Sequence, residues 1–257
     1  MNDGDSQAPP LNHDHPFDDA LRRRLGDNLA RHPRREASLD GRRHAAVAIV
    51  VVDSDAEAHG RDPFPATAEQ LAMIPRRVAD DDVFALTGSV AGTAGGTAVL
   101  LTRRAATLRA HAGQWALPGG RIDTDESPPD AARRELREEL DLALGADTCL
   151  GVLDDYATRS GYVITPFVFW GGADPHLDPD PAEVQSVHRI SLRELCRPDS
   201  PRLVRIPESD RPVVQLPIGG DLLHAPTGAV LYQFRRVALE GVTERVDHLE
   251  QPVFAWR

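Results

Sequence analysis

Three glutamates near the middle of the chain, Glu135, Glu138 and Glu139, have a spacing that suits metal binding. At about 100° per residue, a helix places their side chains within one arc of roughly 100°. Carboxylates crowded on one partly buried face repel each other unless a cation compensates their charge. Mg²⁺ and Mn²⁺ prefer carboxylate and carbonyl oxygens, so these are the ions that we expect at such a face.

The surrounding residues predict the helix that positions these glutamates. Ser127 has the residue type of an N-cap, and two prolines in the first turn and an acid three residues on follow it. From there to about Leu140 the composition is Ala, Arg, Leu and Glu, all good helix formers. Ala132, Leu136 and Leu140 form an apolar stripe beside the acidic arc, which predicts that the helix packs on a sheet.

The same spacing has a simpler interpretation, which is a solvated acidic helix face. Arg133, Arg134 and Arg137 lie among the glutamates and could pair with them at the surface. Glu/Arg-rich helices of this kind are common, so the spacing alone favours neither interpretation. The residues around the helix decide between them.

The longer pattern around the helix resembles the Nudix box, G-x5-E-x7-R-E-U-x-E-E-x-G-U, in which U is aliphatic. Gly120, Glu126 and residues 134–139 (RELREE) occupy its fixed positions, and Leu142 fills the final aliphatic position. The one departure is Asp141, which stands where the box has its last glycine. Glycine there suits a helix end with positive φ, and Asp adopts that conformation at a small cost in stability.

This resemblance implies an α/β protein with the Nudix fold, an α/β/α sandwich around a mixed β-sheet, that hydrolyses a pyrophosphate linkage with Mg²⁺ or Mn²⁺. It implies metal binding by one backbone carbonyl and four carboxylates: Gly119, Glu126, Glu135, Glu138 and Glu139. Glu126 has an alternative implied role as the partner of Arg134, which would orient Glu135. The general base is Glu135 or Glu183, since the family draws it from the box or from a later loop.

A second pattern, LLTRRAATLRAHAGQWALPGG at residues 100–120, resembles the signature that precedes the box in the coenzyme A pyrophosphatase subfamily. Arg104, Arg109 and Gly113 match it, and the resemblance assigns these three residues to substrate binding. It implies cleavage of coenzyme A or its derivatives to 3′,5′-ADP and 4′-phosphopantetheine. Arg103, Arg104 and Arg109 could each make charge-assisted contacts to phosphate, and the last two are our candidates for the extra phosphate of this substrate.

The rest of the chain predicts one Nudix hydrolase domain with appendages. Residues 1–16 are polar and rich in Pro, Asp and His, which predicts a disordered tail. An N-terminal helical extension is predicted at 17–44, where apolar residues repeat every four positions. The domain itself is predicted at 45–257, with an insertion at about 53–96 that is a lid, a partner surface or a plain surface excursion.

Apolar runs predict the strands of the sheet, and the first of them, AAVAIVVV at 45–52, is typical of a strand buried on both faces. Strands are predicted at 45–52, 97–102, 149–156, 162–170, 183–190 and 229–234, and short helices near 67–74 and 191–196.

Composition excludes several classes of partner. A net charge of −11 argues against a nucleic-acid-binding surface. No apolar run approaches the roughly 20 residues needed to span a bilayer, and the acidic N-terminus lacks the features of a secretory signal. Cys149 and Cys196 stand far apart without metal-ligand neighbours, so free thiols in a reducing cytoplasm are expected. We therefore expect a cytoplasmic protein with a small-molecule substrate and a homodimer as its candidate assembly.

Three functions stay open at this point. Coenzyme A pyrophosphatase is favoured by the second pattern. Another Nudix hydrolase, acting on ADP-ribose, NADH or a related dinucleotide, would keep the same fold and mechanism. A non-catalytic binding module on the Nudix fold is the third, and the complete set of carboxylates argues against it.

Overall fold

The computed structural model of the protein describes residues 15–75, 86–108 and 112–256. Within these ranges the chain forms two β-sheets, and helices cover both faces of the larger one. Most of the tail predicted at 1–16 lies outside the described residues, so its disorder stays a prediction.

The larger sheet is mixed, as predicted. Its two long central strands, the first and the seventh, are parallel, with Val47 opposite Pro166, and all its other pairs are antiparallel. In the part of the chain that the structure describes, its eight strands are β1 (Arg43–Val52), β2 (Ala98–Arg104), β3 (Trp115–Ala116), β4 (Gly119–Arg121), β5 (Cys149–Val152), β6 (Tyr156–Ala157), β7 (Tyr162–Gly172) and β8 (Val184–Ser191). The order is β3-β2-β1-β7-β5, with β4 paired to β1, β6 to β7 and β8 to β2.

Helices form the outer layers. The described ranges contain α1 (Asp19–Arg31), α2 (Ala56–His59), α3 (Ala68–Ala72), α4 (Pro128–Leu140), α5 (Leu192–Leu195) and α6 (Thr227–Phe234). The short helices predicted near 67–74 and 191–196 correspond to α3 and α5. α3 begins with a capping box, in which the side chains of Thr67 and Gln70 each accept from the other's backbone N–H.

Strand β1 is buried on both faces, which explains its uninterrupted apolar sequence. Ala48 and Val50 belong to the core under α4, whereas Ile49 and Val51 belong to the core under α1 and α6. Successive side chains of a strand point to opposite faces, so one strand supplies both cores. This arrangement of helix, sheet and helix confirms the predicted α/β/α sandwich around a mixed sheet.

A smaller antiparallel sheet follows in the C-terminal part of the chain. It consists of β9 (Arg202–Ile206), β10 (Ser209–Ile218) and β11 (Asp221–His224), in the order β11-β10-β9. Val214, Leu216 and Leu223 join the core that α1 and α6 share. The strand predicted at 229–234 is wrong, because these residues form α6. A short apolar run is compatible with a buried strand and with a buried helix, and its periodicity does not distinguish them.

The predicted N-terminal extension packs directly on the sheet. Leu21, Leu25 and Leu29 of α1 are at most 4% exposed and belong to the same core as Ile49 of β1. Asp18 caps the helix by accepting a hydrogen bond from the N–H of Leu21. The boundary at 44 stays a prediction, although β1 already begins at Arg43.

The insertion predicted at about 53–96 contains α2 and α3, and its residues 76–85 lie outside the described ranges. A buried ion pair ties it to the sheet: Arg103 Nη2 lies 3.2 Å from Asp62 Oδ2. Whether the segment acts as a lid or a partner surface stays a prediction.

Two further features concern the helices and the cysteines. Across the described residues, no helix is both long and apolar enough to span a bilayer. Cys149 and Cys196 are free thiols, as predicted.

Candidate active site

Helix α4 forms where its sequence predicts. Ser127 is the N-cap, and two prolines follow in the first turn, where their missing N–H groups cost no hydrogen bond. The Ser127 hydroxyl donates to Asp130 Oδ2 at 2.5 Å and makes no cap hydrogen bond to the backbone. Asp141 ends the helix in the left-handed conformation at φ 54°, so the residue that replaces the box glycine adopts the glycine conformation.

The apolar stripe of α4 anchors the helix to the sheet. Ala132, Leu136 and Leu140 are fully buried against the alanine and valine side chains of β1. This packing fixes the rotation of the helix and directs the neighbouring acidic arc toward β4 and the start of β8. The sheet therefore places the glutamates at its edge.

Glu139 is the most buried acid of this arc. It is 5% exposed, and the backbone N–H of Gly119 donates to its carboxylate. Burial, and after it the negative charges of Glu135 and Glu183, raise the pKa of Glu139 to about 8, against the smaller opposing effects of Arg104 and the Gly119 amide. A carboxylate held in this way binds a proton or a cation readily near neutral pH.

Glu135 lies beside it. Burial raises its pKa, the hydrogen bond from Arg134 opposes the shift, and the charges of Glu138 and Glu183 add to it. The carboxylate rests on the backbone of Gly120, and a Cβ atom at that position would overlap it. Glycine at this position therefore leaves room for the Glu135 carboxylate in its present place, and its backbone conformation does not demand glycine.

Glu183 comes to this cluster from a different part of the chain. It directly precedes β8, and its carbonyl accepts a hydrogen bond from the N–H of Ala105 at 2.8 Å. Its charge acts on both Glu135 and Glu139, so the structure brings together the two candidates for the general base.

Arg134 links three of the predicted ligand carboxylates. Its Nε and Nη2 donate to the two oxygens of Glu126 at 3.0 and 3.2 Å. Its Nη1 donates to Glu135 at 2.9 Å and to Glu138 at 2.7 Å. The hydrogen bond from Arg134 lowers the pKa of Glu126, which is the partner role that the sequence left open for this residue.

The donor set fits a hard divalent cation in its chemistry, although its present packing is not a metal cage. Among the residues that the structure describes, no three acidic, imidazole or thiol side chains are grouped closely enough to hold an ion. The carboxylates of Glu135 and Glu139 nevertheless have raised pKa values because they are buried beside like charges. A cation between them would relieve that repulsion. Arg134 contacts one oxygen of Glu135 and one of Glu138, so the second oxygen of each carboxylate is left for an ion.

A cavity of about 490 Å³ opens beside the acidic cluster, within the range of small-ligand pockets. Gly119, Gly120 and Arg104 line it at the end nearest the acids. Arg104 also lowers the pKa of Glu139, which places a positive charge close to the cluster. Arg104 is thus both a lining residue of the cavity and a neighbour of the acidic cluster.

The neighbouring Arg103 has a different environment, and its predicted contact to phosphate is wrong. It is 2% exposed, and its Nη2 lies 3.2 Å from carboxylate oxygens of both Asp62 and Asp221. Its guanidinium stacks 4.2 Å from the ring centre of Trp115. Because side chains alternate along β2, Arg103 points into the interior on the face opposite Arg104.

The other predicted substrate residues lie elsewhere or outside the described ranges. Gly113 has φ 68° and donates its N–H to the carbonyl of Arg104 at 3.0 Å, which is the geometry of a turn. It lines a smaller neighbouring cavity of about 110 Å³. Arg109 lies outside the described residues.

Sequence reasoning missed the residues that close the larger cavity from other parts of the chain. Tyr162, Thr227 and Gln251 line it, and Arg43 stacks 4.2 Å above the ring of Tyr162. No motif marks Thr227 or Gln251, since only the fold brings the end of the chain to the sheet. Trp115, which lies inside the second pattern, also lines the cavity.

Comparisons with known proteins identify the family of the chain. A family model described as the NUDIX domain matches residues 87–215, which is half of the chain. The Nudix hydrolase NudL of Cronobacter sakazakii, described as uncharacterized, is 42% identical over 100 residues, covering 38% of this chain and 52% of that protein. The protein of the same name from Photorhabdus laumondii is 41% identical over 97 residues, covering 37% and 52%. The chain thus spans about half the length of these curated relatives.

Among solved structures, a MutT/nudix family protein from Enterococcus faecalis matches with a TM-score of 0.47 at 14% identity, over 79% of this chain and 64% of that one. The family assignment rests on the sequence model, which includes the whole box and helix α4. Nudix hydrolases generally use divalent metal ions and act on small molecules. The chain belongs to the Nudix hydrolase family.

Proposed function

We propose that the protein is a metal-dependent pyrophosphohydrolase that cleaves the diphosphate of coenzyme A or its derivatives to 3′,5′-ADP and 4′-phosphopantetheine. One observation carries the reaction class. Glu135, Glu139 and Glu183, from a helix and a distant loop, interact through their charges, and Arg104, whose charge also acts on Glu139, lines the neighbouring cavity. Mutually repelling carboxylates beside an arginine suit a site that holds cations and a phosphate chain.

The metal ligands in this proposal are those that the box implies: the Gly119 carbonyl, Glu126, Glu135, Glu138 and Glu139. When bound, Mg²⁺ or Mn²⁺ supplies charge neutralisation for the diphosphate and lowers the pKa of a water molecule. Arg134 orients Glu135, which it contacts at 2.9 Å. Gly119 orients Glu139 through its N–H.

The general base is Glu183 or Glu135. Glu135 is half-buried and already accepts a hydrogen bond from Arg134, whereas Glu183 is exposed at the end of its loop. Glu183 is favoured as the base because its exposed side chain can approach a water molecule. Glu135 is favoured because it lies next to the predicted metal ligands. The pH–rate profiles of Glu183→Gln and Glu135→Gln separate them, because only the base variant loses the acidic limb of the profile.

The coenzyme A assignment is supported by the pattern at residues 100–120 and by the position of Arg104 in the cavity. The 3′-phosphate distinguishes coenzyme A from ADP-ribose and NADH, and an arginine suits it. We expect Arg104→Ala to lose the preference for coenzyme A over ADP-ribose. An unchanged preference would remove Arg104 from this role.

Turnover with Mg²⁺ or Mn²⁺ on coenzyme A, acetyl-coenzyme A, ADP-ribose and NADH tests the substrate. Preferential release of 3′,5′-ADP from the first two supports the proposal. Preference for ADP-ribose or NADH would keep the reaction class and replace the substrate. Metal binding without turnover of any of the four would support a binding module instead.

A cytoplasmic location and a homodimer complete the proposal. Free thiols at Cys149 and Cys196 support the reducing compartment. Analytical ultracentrifugation of the purified chain tests the dimer, and a monomer mass at micromolar concentration would contradict it.

A further inference from the structure

A cavity of about 540 Å³ lies away from the acidic cluster, between α2, the loop at 173–183 and the far half of β8. Its charged lining is mostly basic, in a chain whose net charge is −11. The ionisable side chains that line it are His59, Arg61, Asp174, His176 and Arg189. No described residue that lines it also lines the cavity of about 490 Å³, so the two cavities are separate.

Arg189 is the buried cation of this cavity. Its side chain is 7% exposed, and its Nη1 donates to Asp174 Oδ1 at 2.5 Å, while Nη2 donates to the carbonyl of Pro175 at 2.9 Å. Asp174 itself is 75% exposed. A buried guanidinium needs an anionic partner, and here a surface carboxylate on a loop takes that place from the solvent side.

His59 has more contacts than a neutral ring can satisfy. Arg189 Nη1 lies 2.7 Å from its Nε2, and the N–H of Asp55 points at its Nδ1 from 3.0 Å. Arg189 and the Asp55 amide can only donate, and a neutral imidazole has one acceptor nitrogen; the Asp174 carboxylate lies 3.8 Å from Nε2, beyond hydrogen-bond distance. An anion bridging Arg189 and His59 would accept from both side chains and remove this conflict.

We propose that this cavity is a second site, which binds the phosphate group of a small molecule between Arg189 and His59. Phosphate carries more charge and more acceptor oxygens than the Asp174 carboxylate that now contacts Arg189. Arg61 and His176 stand at the rim, and neither has a hydrogen bond or ion pair to any residue in the described ranges.

The loop that carries Asp174 also leads to the acidic cluster. The N–H groups of Asp178 and Asp180 donate to the carbonyls of Leu140 and Glu139, each at 3.0 Å, and the loop ends at Glu183. A phosphate that replaces Asp174 at Arg189 releases the first part of this loop. Hydrolysis of a diphosphate yields phosphate monoesters, so a product has the chemistry that this site binds; this last consequence rests on the proposed function.

Calorimetric titration of the full chain with inorganic phosphate and with adenosine 5′-monophosphate tests the site. The Glu139→Gln background with EDTA keeps metal-dependent binding at the acidic cluster out of the signal. Asp174→Asn removes the internal competitor, so we expect phosphate to bind at least about tenfold more tightly. Asp178→Asn, which removes the same charge from the same loop outside the cavity, is the matched control and leaves the affinity unchanged.

The double variant Arg61→Ala/His176→Ala changes two exposed rim residues, and we expect at least about tenfold weaker binding. Tighter binding of the monophosphate than of free phosphate identifies an organic ester as the ligand, and equal binding identifies the free anion. Equal affinity of wild type, Asp174→Asn and the double variant, or phosphate binding no tighter than chloride, overturns the site. Binding is measured without turnover, so failure of the proposed reaction leaves this test intact.

Discussion

The backbone of Gly120 lies against the carboxylate of Glu135, so closely that a Cβ atom at position 120 would overlap Glu135 Oε1. The backbone of strand β4 therefore contacts the side chain of a glutamate on helix α4. Glycine, which has no side chain, leaves room for that carboxylate. The first fixed position of the box is thus explained by a contact with a later one. This contact gives the first prediction.

Gly120→Ala displaces the Glu135 carboxylate, and we expect kcat/KM to fall at least about tenfold because a catalytic geometry tolerates little misplacement. The unfolding free energy changes by about 1 kcal/mol or less, since a flexible side chain can move aside. Gly26→Ala, in the middle of α1 with no side chain nearby, is the control. It stabilises the protein by about 0.5–1 kcal/mol and leaves activity unchanged. Equal activity of Gly120→Ala and wild type would refute the contact's role.

Arg134 and Arg133 are adjacent on α4 but have different partners. Arg134 contacts Glu126, Glu135 and Glu138, whereas Arg133 pairs with Asp130 on the exposed side. We expect Arg134→Lys to lower kcat/KM about 10–100-fold, because an ammonium group cannot hold three carboxylates in a planar fork. Arg133→Lys changes it less than about twofold. Steady-state kinetics of the two variants measure the difference, and similar losses would contradict the assignment.

Substitutions at the neighbouring residues Arg103 and Arg104 are predicted to have different effects, the first on stability and the second on substrate binding. Arg103→Met leaves Asp62 and Asp221 buried without their cation, so we expect a loss of about 3 kcal/mol in unfolding free energy. Arg104→Met keeps stability within about 1 kcal/mol and raises KM about tenfold, because its side chain lines the substrate cavity. Urea unfolding and initial rates test both. A stable Arg103→Met variant with a raised KM would reverse the two roles.

Glu250 gives a prediction about pH. Burial raises its pKa, but hydrogen bonds from Arg159, the Gln251 amide and Ser209 outweigh burial and lower the pKa to about 2. The folded-state pKa lies below the unfolded one, so this stabilisation is complete above about pH 4.5 and disappears as the pH falls toward 2.

We expect Glu250→Gln to lower the free energy of unfolding by about 2 kcal/mol at pH 7. This value is smaller than the pKa shift alone would give, because solvent screens the half-exposed Arg159 partner. The difference from wild type shrinks as the pH falls below 4.5. Glu208 is an exposed acid in the turn between β9 and β10. Glu208→Gln is therefore the control, and its difference from wild type does not change with pH in this way. If wild type and Glu250→Gln differed by the same free energy of unfolding at pH 7 and at about pH 3, the charge of Glu250 would not contribute to stability.

Local sequence predicted the parts of the fold that depend on local rules. Helix α4 follows from its cap, its prolines and its apolar stripe, and β1 follows from an uninterrupted apolar run. The same rules do not show that Arg103 is buried whereas Arg104 lines the cavity. Neighbouring side chains of β2 point to opposite faces, but the local sequence does not show which face the rest of the fold covers. They also do not distinguish a buried helix from a strand at 229–234.

The site was predictable where its residues form a motif and unpredictable where the fold assembles it. The glutamates of α4 share one helix, so their spacing shows them together. Glu183 reaches them only because β8 pairs with β2, and Gln251 reaches the cavity only because the chain end returns to the sheet. Such contacts join residues that are distant in sequence, and a single sequence holds no local signal for them.

The rate of 3′,5′-ADP release from coenzyme A during a Mg²⁺ titration tests the central claim most directly. We expect turnover by the wild type to saturate with the metal and to vanish in EDTA. Glu139→Gln reduces it at least about a hundredfold, because it removes a buried carboxylate from the site. Glu208→Gln leaves it unchanged. Turnover that persists in EDTA, or that survives in Glu139→Gln at the wild-type rate, would contradict a metal-dependent hydrolase built on α4.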